Sequence, residues 1–281
     1  MPHLQRFYAM TYPCNLVTTA WLAQHLNDPN VVVVDCRFAL SDPHQGQQQY
    51  TAGHIPGAWY LDLNQDLSSP VQAHGGRHPL PDLETFSQRL SAIGVRSNPH
   101  TLVVAYDDSR FAFASRLWWL LRYLGHDTVA VLDGGWSGWV QAGQPTSTEI
   151  PAPRAGNFTA APRQDWLVDI DAVRHRPAGA VLIDSRSPER YRGEVEPIDP
   201  VAGSIPGAMN HFWQDVSGQN NQMKAPADLA QHWASLNDAD QVIVYCGSGV
   251  TACVNLLAQT LAGQPMAKLY AGGWSDWCSY L

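Results

Sequence analysis

The chain has 281 residues, of which 45% are hydrophobic and 15% charged, with a formal charge of −8; it is long enough for one large domain or two ordinary ones. That balance excludes a disordered chain, the lack of a Lys/Arg run argues against nucleic acid, and no window approaches the ~18 apolar residues of a membrane span. The start, MPHLQRFYAMTYPCNL, lacks the apolar stretch of a signal peptide, and five cysteines with no CxxC spacing predict reduced thiols in a cytoplasmic setting.

In chain order, TTAWLAQHL (18–26) has helical spacing and VVVVD (31–35) is a continuous apolar strand. A turn, AGHIPGAWYLDL (52–63), leads to a helix in DLETFSQRLSAIG (82–94). Then come a strand in TLVVAY (101–106), a helix in FASRLWWLLRYLG (113–125), a strand in VAVL (129–132) and a GGW turn. Residues 144–164, rich in Pro, Thr and Ala, read as an extended linker. The same blocks then return in order. AVLIDSRS (180–187) repeats VVVVDCRF (31–38), and AGSIPGAMNHFW (202–213) repeats residues 52–63. QVIVYCGSGVTACVNLLAQTLAG (241–263) repeats residues 101–125, and MAKLYAGGWSDW (266–277) repeats residues 129–139. A period of about 140 to 150 residues is a duplicated domain, not a solenoid. We expect domains at 1–145 and 163–281 joined by residues 146–162. Each is an α/β unit with a mainly parallel sheet covered by helices on both faces. Pro56 and Pro206 in the paired turns serve structure, since proline fixes φ.

In such sheets ligands gather beyond the carboxyl ends of the strands. Cys246 sits at one of these ends, between VIVY (242–245) and Gly247-Ser248-Gly249, with a helix predicted from near Val250 or Thr251. Its counterpart in the first half is Asp107. If residues 247–251 curl around the sulfur, their N–H groups and about half a positive charge at the helix start favour a thiolate, or a persulfide, which is also an anion. Gly247 and Gly249 permit the close backbone approach. Cys253, among apolar helix residues, reads as core; Cys14, Cys36 and Cys278 read as structural. A cysteine phosphatase needs an arginine where Ala252 stands, so the bidentate phosphate contact is lacking. The eleven histidines show no metal-ligand spacing.

The DSR triplet (184–186), the paired AGxIPGA turns, the GGW blocks and CGSGVTA (246–252) together resemble the two-domain rhodanese-like sulfurtransferases over nearly the whole chain. The resemblance implies two tandem rhodanese-like domains, the first inactive and the second carrying the site. It also implies ping-pong chemistry, in which Cys246 takes a sulfane sulfur from a donor and passes it to cyanide, a thiol or a thioredoxin-like reductant. The covalent persulfide then serves in place of a cofactor, and no metal is called for. The uncharged loop after the cysteine is similar to the 3-mercaptopyruvate branch, with thiosulfate the alternative donor and a non-turnover binding or redox-sensing module a further reading. That branch implies a relay of Ser248, His78 and Asp62, although Asp62 also reads as a turn or cap residue. It implies Arg190 as the donor-binding cation and Gly247, Gly249, Val250 and Thr251 as the anion cradle. A second carboxylate-binding arginine is expected within GEVEPIDPVAG (193–203). Ile198 and Asp199 stand there instead, leaving Arg77 or Arg110 to supply the charge. Asp184 and Arg186 read as a buried supporting pair.

Overall fold

The computed structural model describes residues 12–13, 15–97 and 100–281. The first half runs β1 (Asn15–Val17), α1 (Thr19–His25), β2 (Val31–Asp35), α2 (Gln45–Ala52), β3 (Trp59–Tyr60), α3 (Leu83–Ala92), β4 (Leu102–Tyr106), α4 (Ala114–Tyr123), β5 (Val129–Leu132) and α5 (Gly135–Gln141). The second half repeats it: β6 (Leu167–Val168), α6 (Ile170–Arg174), β7 (Ala180–Asp184), α7 (Pro188–Tyr191), β8 (Ala208–Asn210), α8 (Pro226–His232), β9 (Gln241–Tyr245), α9 (Ala252–Leu261), β10 (Lys268–Tyr270) and α10 (Gly273–Cys278). Helix starts follow local chemistry. The Thr18 hydroxyl accepts from Trp21 N–H at 3.1 Å, and the Asp82 carboxylate accepts from Thr85 N–H at 2.9 Å.

Each half folds into a five-stranded sheet, with orders β1-β5-β4-β2-β3 and β6-β10-β9-β7-β8, the same topology twice. All strand pairs are parallel. Val31–Asp35 and Leu102–Tyr106 are buried at every position, as strands covered on both faces must be. One apolar core is shared by both halves, and each half has a second core on the far face of its sheet. Helices α4 and α9 pack against each other. Nine of the ten α4 residues are buried, Arg116 among them, because a helix wedged between two sheets has little face left for water.

The linker is extended and stitched to the first domain by bridges between His54 and Ser147, Ile93 and Arg154, and Arg96 and Asn157. A paired motif supports each central strand. In the first half, Tyr106 O–H donates to Asp35 at 2.6 Å and Arg37 pairs with Asp35. In the second, Tyr245 O–H donates to Asp184 at 2.7 Å and Arg186 Nη2 pairs with Asp184 at 2.7 Å.

Candidate active site

Strands β4 and β9 are the central strands of their sheets, and the loops that leave them, beginning at Asp107 and Cys246, occupy matching places. In the first domain the Asp107 carboxylate is wrapped by backbone. Ser109 and Phe111 N–H donate to one oxygen at 2.8 and 3.1 Å, and Phe113 and Ala114 N–H donate to the other at 2.8 Å each. Burial pushes this carboxyl up and the four N–H groups pull it down, with burial prevailing. The same turn around Cys246 has no carboxylate to fill it. Among the described residues the N–H groups of 247–251 donate no hydrogen bond, and these include Ser248 and Val250, the counterparts of Ser109 and Phe111. Unpaired amides at a strand-to-helix turn make an anion site. The helix itself begins at Ala252, with Thr251 as its cap, one or two residues later than the sequence suggested.

Cys246 is 2% exposed, and its carbonyl is tied down by Trp274 N–H at 2.8 Å, as Gly247 C=O is by Ser275 N–H at 2.8 Å. Gly249 takes φ +71, and a Cβ there would collide with the Ala271 carbonyl, so this corner requires glycine. Cys253 is buried, its thiol donating to Gly249 C=O at 3.3 Å and pushed up to about 12 mainly by burial. Cys36 and Cys278 are buried and free. Cys14 lies outside the described residues.

The first domain contributes to the site through the segment HGGRHPLP (74–81). Gly75 N–H donates to Asp276 at 2.7 Å. Gly76, at φ +80, passes so close to Gly272 that a Cβ would strike its carbonyl. This contact delivers Arg77 and His78 across the domain boundary. His78 Nδ1 lies 2.7 Å from Ser248 Oγ, with both residues buried. Burial, reinforced by the charges of Arg116 and Arg77, lowers the His78 imidazole to about 3, so it is neutral at working pH.

Asp62 does not join this pair, a correction to the expected three-membered relay. Its carboxylate accepts from Asn64 N–H (2.8 Å), Gln65 N–H (3.0 Å) and Tyr60 O–H (3.1 Å), and no hydrogen bond links it to His78. The turn at residues 62–65 uses the carboxylate as its own cap.

Arg190 and Arg77 both line a cavity of 570 Å³ that also includes Cys246, Gly247 and Ser248. Arg190 pairs with Glu196 (Nε 3.1 Å, Nη2 2.7 Å) and with Asp199 (3.1 Å); Arg77 pairs with the other oxygen of Asp199. Burial raises the Asp199 carboxyl against the pull of Arg77 and Arg190. Glu196 is also raised by burial, yet hydrogen bonds from Arg190 and from the Asp199 and Ile198 amides carry it below its ordinary value. Arg186 is committed to Asp184, to Glu196 and to Gly203 C=O, the buried support expected for it. Arg110 lines the same cavity, but its donors are already taken. Its guanidinium donates to Gln214 and Ser217, clamping the second domain.

Sequence reading passed over Arg116. It is fully buried on α4 and donates to Gly249 C=O at 3.2 Å and His78 C=O at 3.1 Å; its Nε has no partner, and it makes no ion pair among the described residues. Burial drives the guanidinium down, and the thiols of Cys253 and Cys246 oppose the shift. A cation without a counter-ion beneath the Cys246 loop favours negative charge there. The available signal was one arginine inside an otherwise apolar run, FAFASRLWWLL. A broader groove of 1050 Å³ between α3 and residues 153–162 has no cysteine or histidine in its lining. Among the described residues, no cluster of three or more His, Cys, Asp or Glu could hold a metal.

Comparison with known proteins places this geometry. The rhodanese-like domain model matches twice, at residues 18–142 and 170–280. The chain belongs to the rhodanese-like sulfurtransferases. A Pseudomonas aeruginosa relative named "Probable 3-mercaptopyruvate sulfurtransferase" is 45% identical over 269 residues, covering 93% of this chain and 94% of that one. The thiosulfate sulfurtransferase of Rattus norvegicus is 30% identical, covering 93% of this chain and 91% of its own. The solved 3-mercaptopyruvate sulfurtransferase of Leishmania major superposes with a TM-score of 0.83 at 28% identity, over 96% of this chain and 76% of that one. This sulfurtransferase therefore carries its family's fold in both halves. No helix among the described residues is long and apolar enough to cross a membrane.

Proposed function

We propose that this sulfurtransferase takes sulfur from 3-mercaptopyruvate onto Cys246 and passes it to a small thiophilic acceptor. The observation that carries the choice of donor is the Ser248–His78 pair beside the thiol. Thiosulfate leaves as sulfite, with no carbonyl to polarise and no proton to place on carbon. A 2-oxo donor needs both. The Cys246 thiolate attacks the donor sulfur, so the S–S bond forms as C3–S breaks. The electron pair moves into the C2 carbonyl as an enolate. The proton that began on the donor thiol ends on C3, giving pyruvate and an enzyme persulfide. The neutral His78 is a weak base, so its part is to hold the Ser248 hydroxyl and share a hydrogen bond with the developing enolate oxygen. The free amides of 247–251 and the buried Arg116 favour the anionic sulfur before and after transfer.

In the second half-reaction, cyanide, a thiolate or a thioredoxin-like reductant attacks the outer sulfur and the Cys246 thiolate departs. The sulfur travels on the cysteine itself, so no further cofactor enters. Free, buried thiols suit a reducing cytoplasmic compartment. The test is one preparation assayed with both donors, with the Cys246 peptide weighed before and after cyanide. We expect kcat/KM for 3-mercaptopyruvate to exceed that for thiosulfate at least tenfold, and one cyanide-removable sulfur on Cys246. A reversed ratio assigns thiosulfate as the donor, and oxidation without sulfur gain makes the protein a sensor.

A further inference from the structure

The first turn of α10 holds two separate parts of the site. Trp274 N–H donates to Cys246 C=O and Ser275 N–H to Gly247 C=O, each at 2.8 Å. The next side chain, Asp276, accepts from Gly75 N–H at 2.7 Å. Three consecutive residues thus grip the thiol loop of the second domain and the 74–81 segment of the first. Asp276 is buried, and its other oxygen accepts from Tyr270 O–H at 2.6 Å. Burial, then the hydrogen bond to Asp276, raises the Tyr270 hydroxyl above its ordinary value, so it remains a donor. The carboxylate also lies so tightly over Gly272 that a Cβ there would come within 2.6 Å of Oδ2. The first domain keeps the backbone part of this grip, with Trp136 N–H on Asp107 C=O at 2.9 Å. Yet Gly138 stands there in place of Asp276 and Leu132 in place of Tyr270. The acid and its tyrosine belong to the half that carries the thiol.

We propose that Asp276, braced by Tyr270, is a positioning residue for His78: by holding Gly75 it sets how the imidazole meets Ser248 Oγ. Gly75 lies three residues before His78, and Gly76 between them is pressed against the Gly272 carbonyl. Little slack is left in the chain to absorb a displacement at Gly75. His78 Nδ1 lies 2.7 Å from Ser248 Oγ, and a misplacement of about 1 Å can cost a reaction roughly 100-fold. The segment's other attachments leave this role to Asp276. His74 reaches Ser279 and stacks on Tyr280 at the exposed rim, where water competes for the contact. Arg77 meets Asp199 through a long side chain that can move without its backbone. The proposal rests on the reading of Ser248 and His78 as the pair that serves the donor carbonyl, and it adds what aims that pair.

The experiment compares Asp276→Ala, Asp276→Asn, His78→Asn and the Asp276→Ala/His78→Asn double variant, each assayed with 3-mercaptopyruvate and with thiosulfate. In Asp276→Ala, kcat and kcat/KM for 3-mercaptopyruvate are expected to fall together, roughly 10- to 100-fold, with KM within about threefold. The pair acts on charge that develops only in the transition state. Asp276→Asn keeps an oxygen for Gly75 and turns its Nδ2 to the Tyr270 hydroxyl, so it stays within about threefold of wild type. Thiosulfate turnover, which involves no carbonyl, stays within about threefold in every variant. In the double variant, alanine adds less than about threefold to the loss in His78→Asn, since the two residues act as one unit. Should Asp276→Ala fail to fold, Asp276→Ser, with a side chain too short to reach Gly75, takes its place under the same expectations. Equal losses with both donors, losses that multiply in the double variant, or an asparagine as poor as alanine overturn the proposal. If wild type takes no sulfur from 3-mercaptopyruvate, or His78→Asn transfers it as wild type does, the reading of the pair has failed separately. The NMR signal of His78 Cε1–H, assigned by its absence in His78→Asn, then decides the positioning alone. A shift in Asp276→Ala that Asp276→Asn does not show supports it, and any other pattern overturns it.

Discussion

Residues 107–114 and 246–253 follow the central strands of two sheets built to one plan, and they differ in what fills them. In the first loop a carboxylate fixed to the chain takes four N–H groups. In the second, the matching turn follows a thiol, and among the described residues the amides of 247–251 donate no hydrogen bond. The first loop also accepts left-handed conformations at Arg110 (φ 54) and Phe111 (φ 73), where the second places Gly249 (φ 71). Such angles cost a residue with a Cβ about 1–2 kcal/mol. The anion cradle is thus a property of the fold. The first domain has closed it permanently with Asp107, and the second keeps it open for a charge that comes and goes. Partners sharpen the contrast, since the second loop hydrogen-bonds His78 through Ser248 and lies against Arg77 and Arg190 at Gly247.

The largest effect is expected from changing the occupant. Cys246→Ser should lower sulfur transfer below about one-thousandth of wild type, as loss of a nucleophile does, with thermal unfolding essentially unchanged. Cys246→Asp makes the second loop a copy of the first. It should be equally inactive and still fold, because the carboxylate gains the amides that Asp107 enjoys. Residual transfer near wild type in Cys246→Ser would move the chemistry to another side chain.

Next comes the histidine that the first loop lacks. The His78 imidazole is lowered to about 3 in the folded chain, chiefly by burial, against about 6.5 unfolded. Between those values the unfolded chain binds a proton that the folded chain refuses, so its stability is full above about pH 6.5 and falls as pH drops through that window. At about pH 4.5 the loss attributable to His78 is roughly 2–3 kcal/mol. Urea unfolding of wild type and His78→Asn at about pH 4.5 and 7.5 reads it, and the variant should show the smaller difference between the two pH values. The same shift predicts no inflection near pH 6.5 from this group in kcat/KM. An equal pH dependence in both proteins would mean that His78 titrates freely.

The duplication and the strand-to-helix corner at Cys246 were legible because each lies in a local pattern of strand, turn and helix, whereas Ser248, His78 and Arg190 were reached through the resemblance to the rhodanese-like sulfurtransferases and not through spacing. Asp62 misled, since a carboxylate that caps its own turn looks in sequence like one that orients a histidine. The pairing of Arg77 with Asp199 was half legible. The acid at 199 signalled a departure, but the choice between Arg77 and Arg110 depends on a contact 122 residues apart, and Arg110 turned out to be spent on Gln214 and Ser217. Arg116 was hidden because helical spacing records which face is apolar, not that two domains enclose the whole helix.

A smaller effect follows from emptying the first cradle. Asp107→Asn replaces one oxygen with an N–H₂ that faces the Phe113 and Ala114 amides donor to donor. This should cost about 1–3 kcal/mol in denaturant unfolding, with kcat/KM reduced less than about threefold because the thiol lies in the other loop. A stability equal to wild type would mean that one amide oxygen satisfies the turn as well as the carboxylate does.

The smallest effect separates backbone strain from the clamp in the first loop. Arg110 sits at φ 54 and also holds the second domain through Ser217 Oγ at 3.0 Å and the Gln214 and Ser217 carbonyls at 2.6 and 2.9 Å. Arg110→Ala loses the clamp and keeps the strain, so it should destabilise by about 1–2 kcal/mol. Arg110→Gly loses the same clamp but adopts the left-handed angle freely, as Gly249 does in the other loop, and should recover up to about 1 kcal/mol. The difference between the two variants in unfolding free energy isolates the strain, and the loss in Arg110→Ala isolates the clamp. If glycine proves no better than alanine, the positive φ is relaxed in solution. The first loop then differs from the second in its carboxylate and its partners, and not in its backbone.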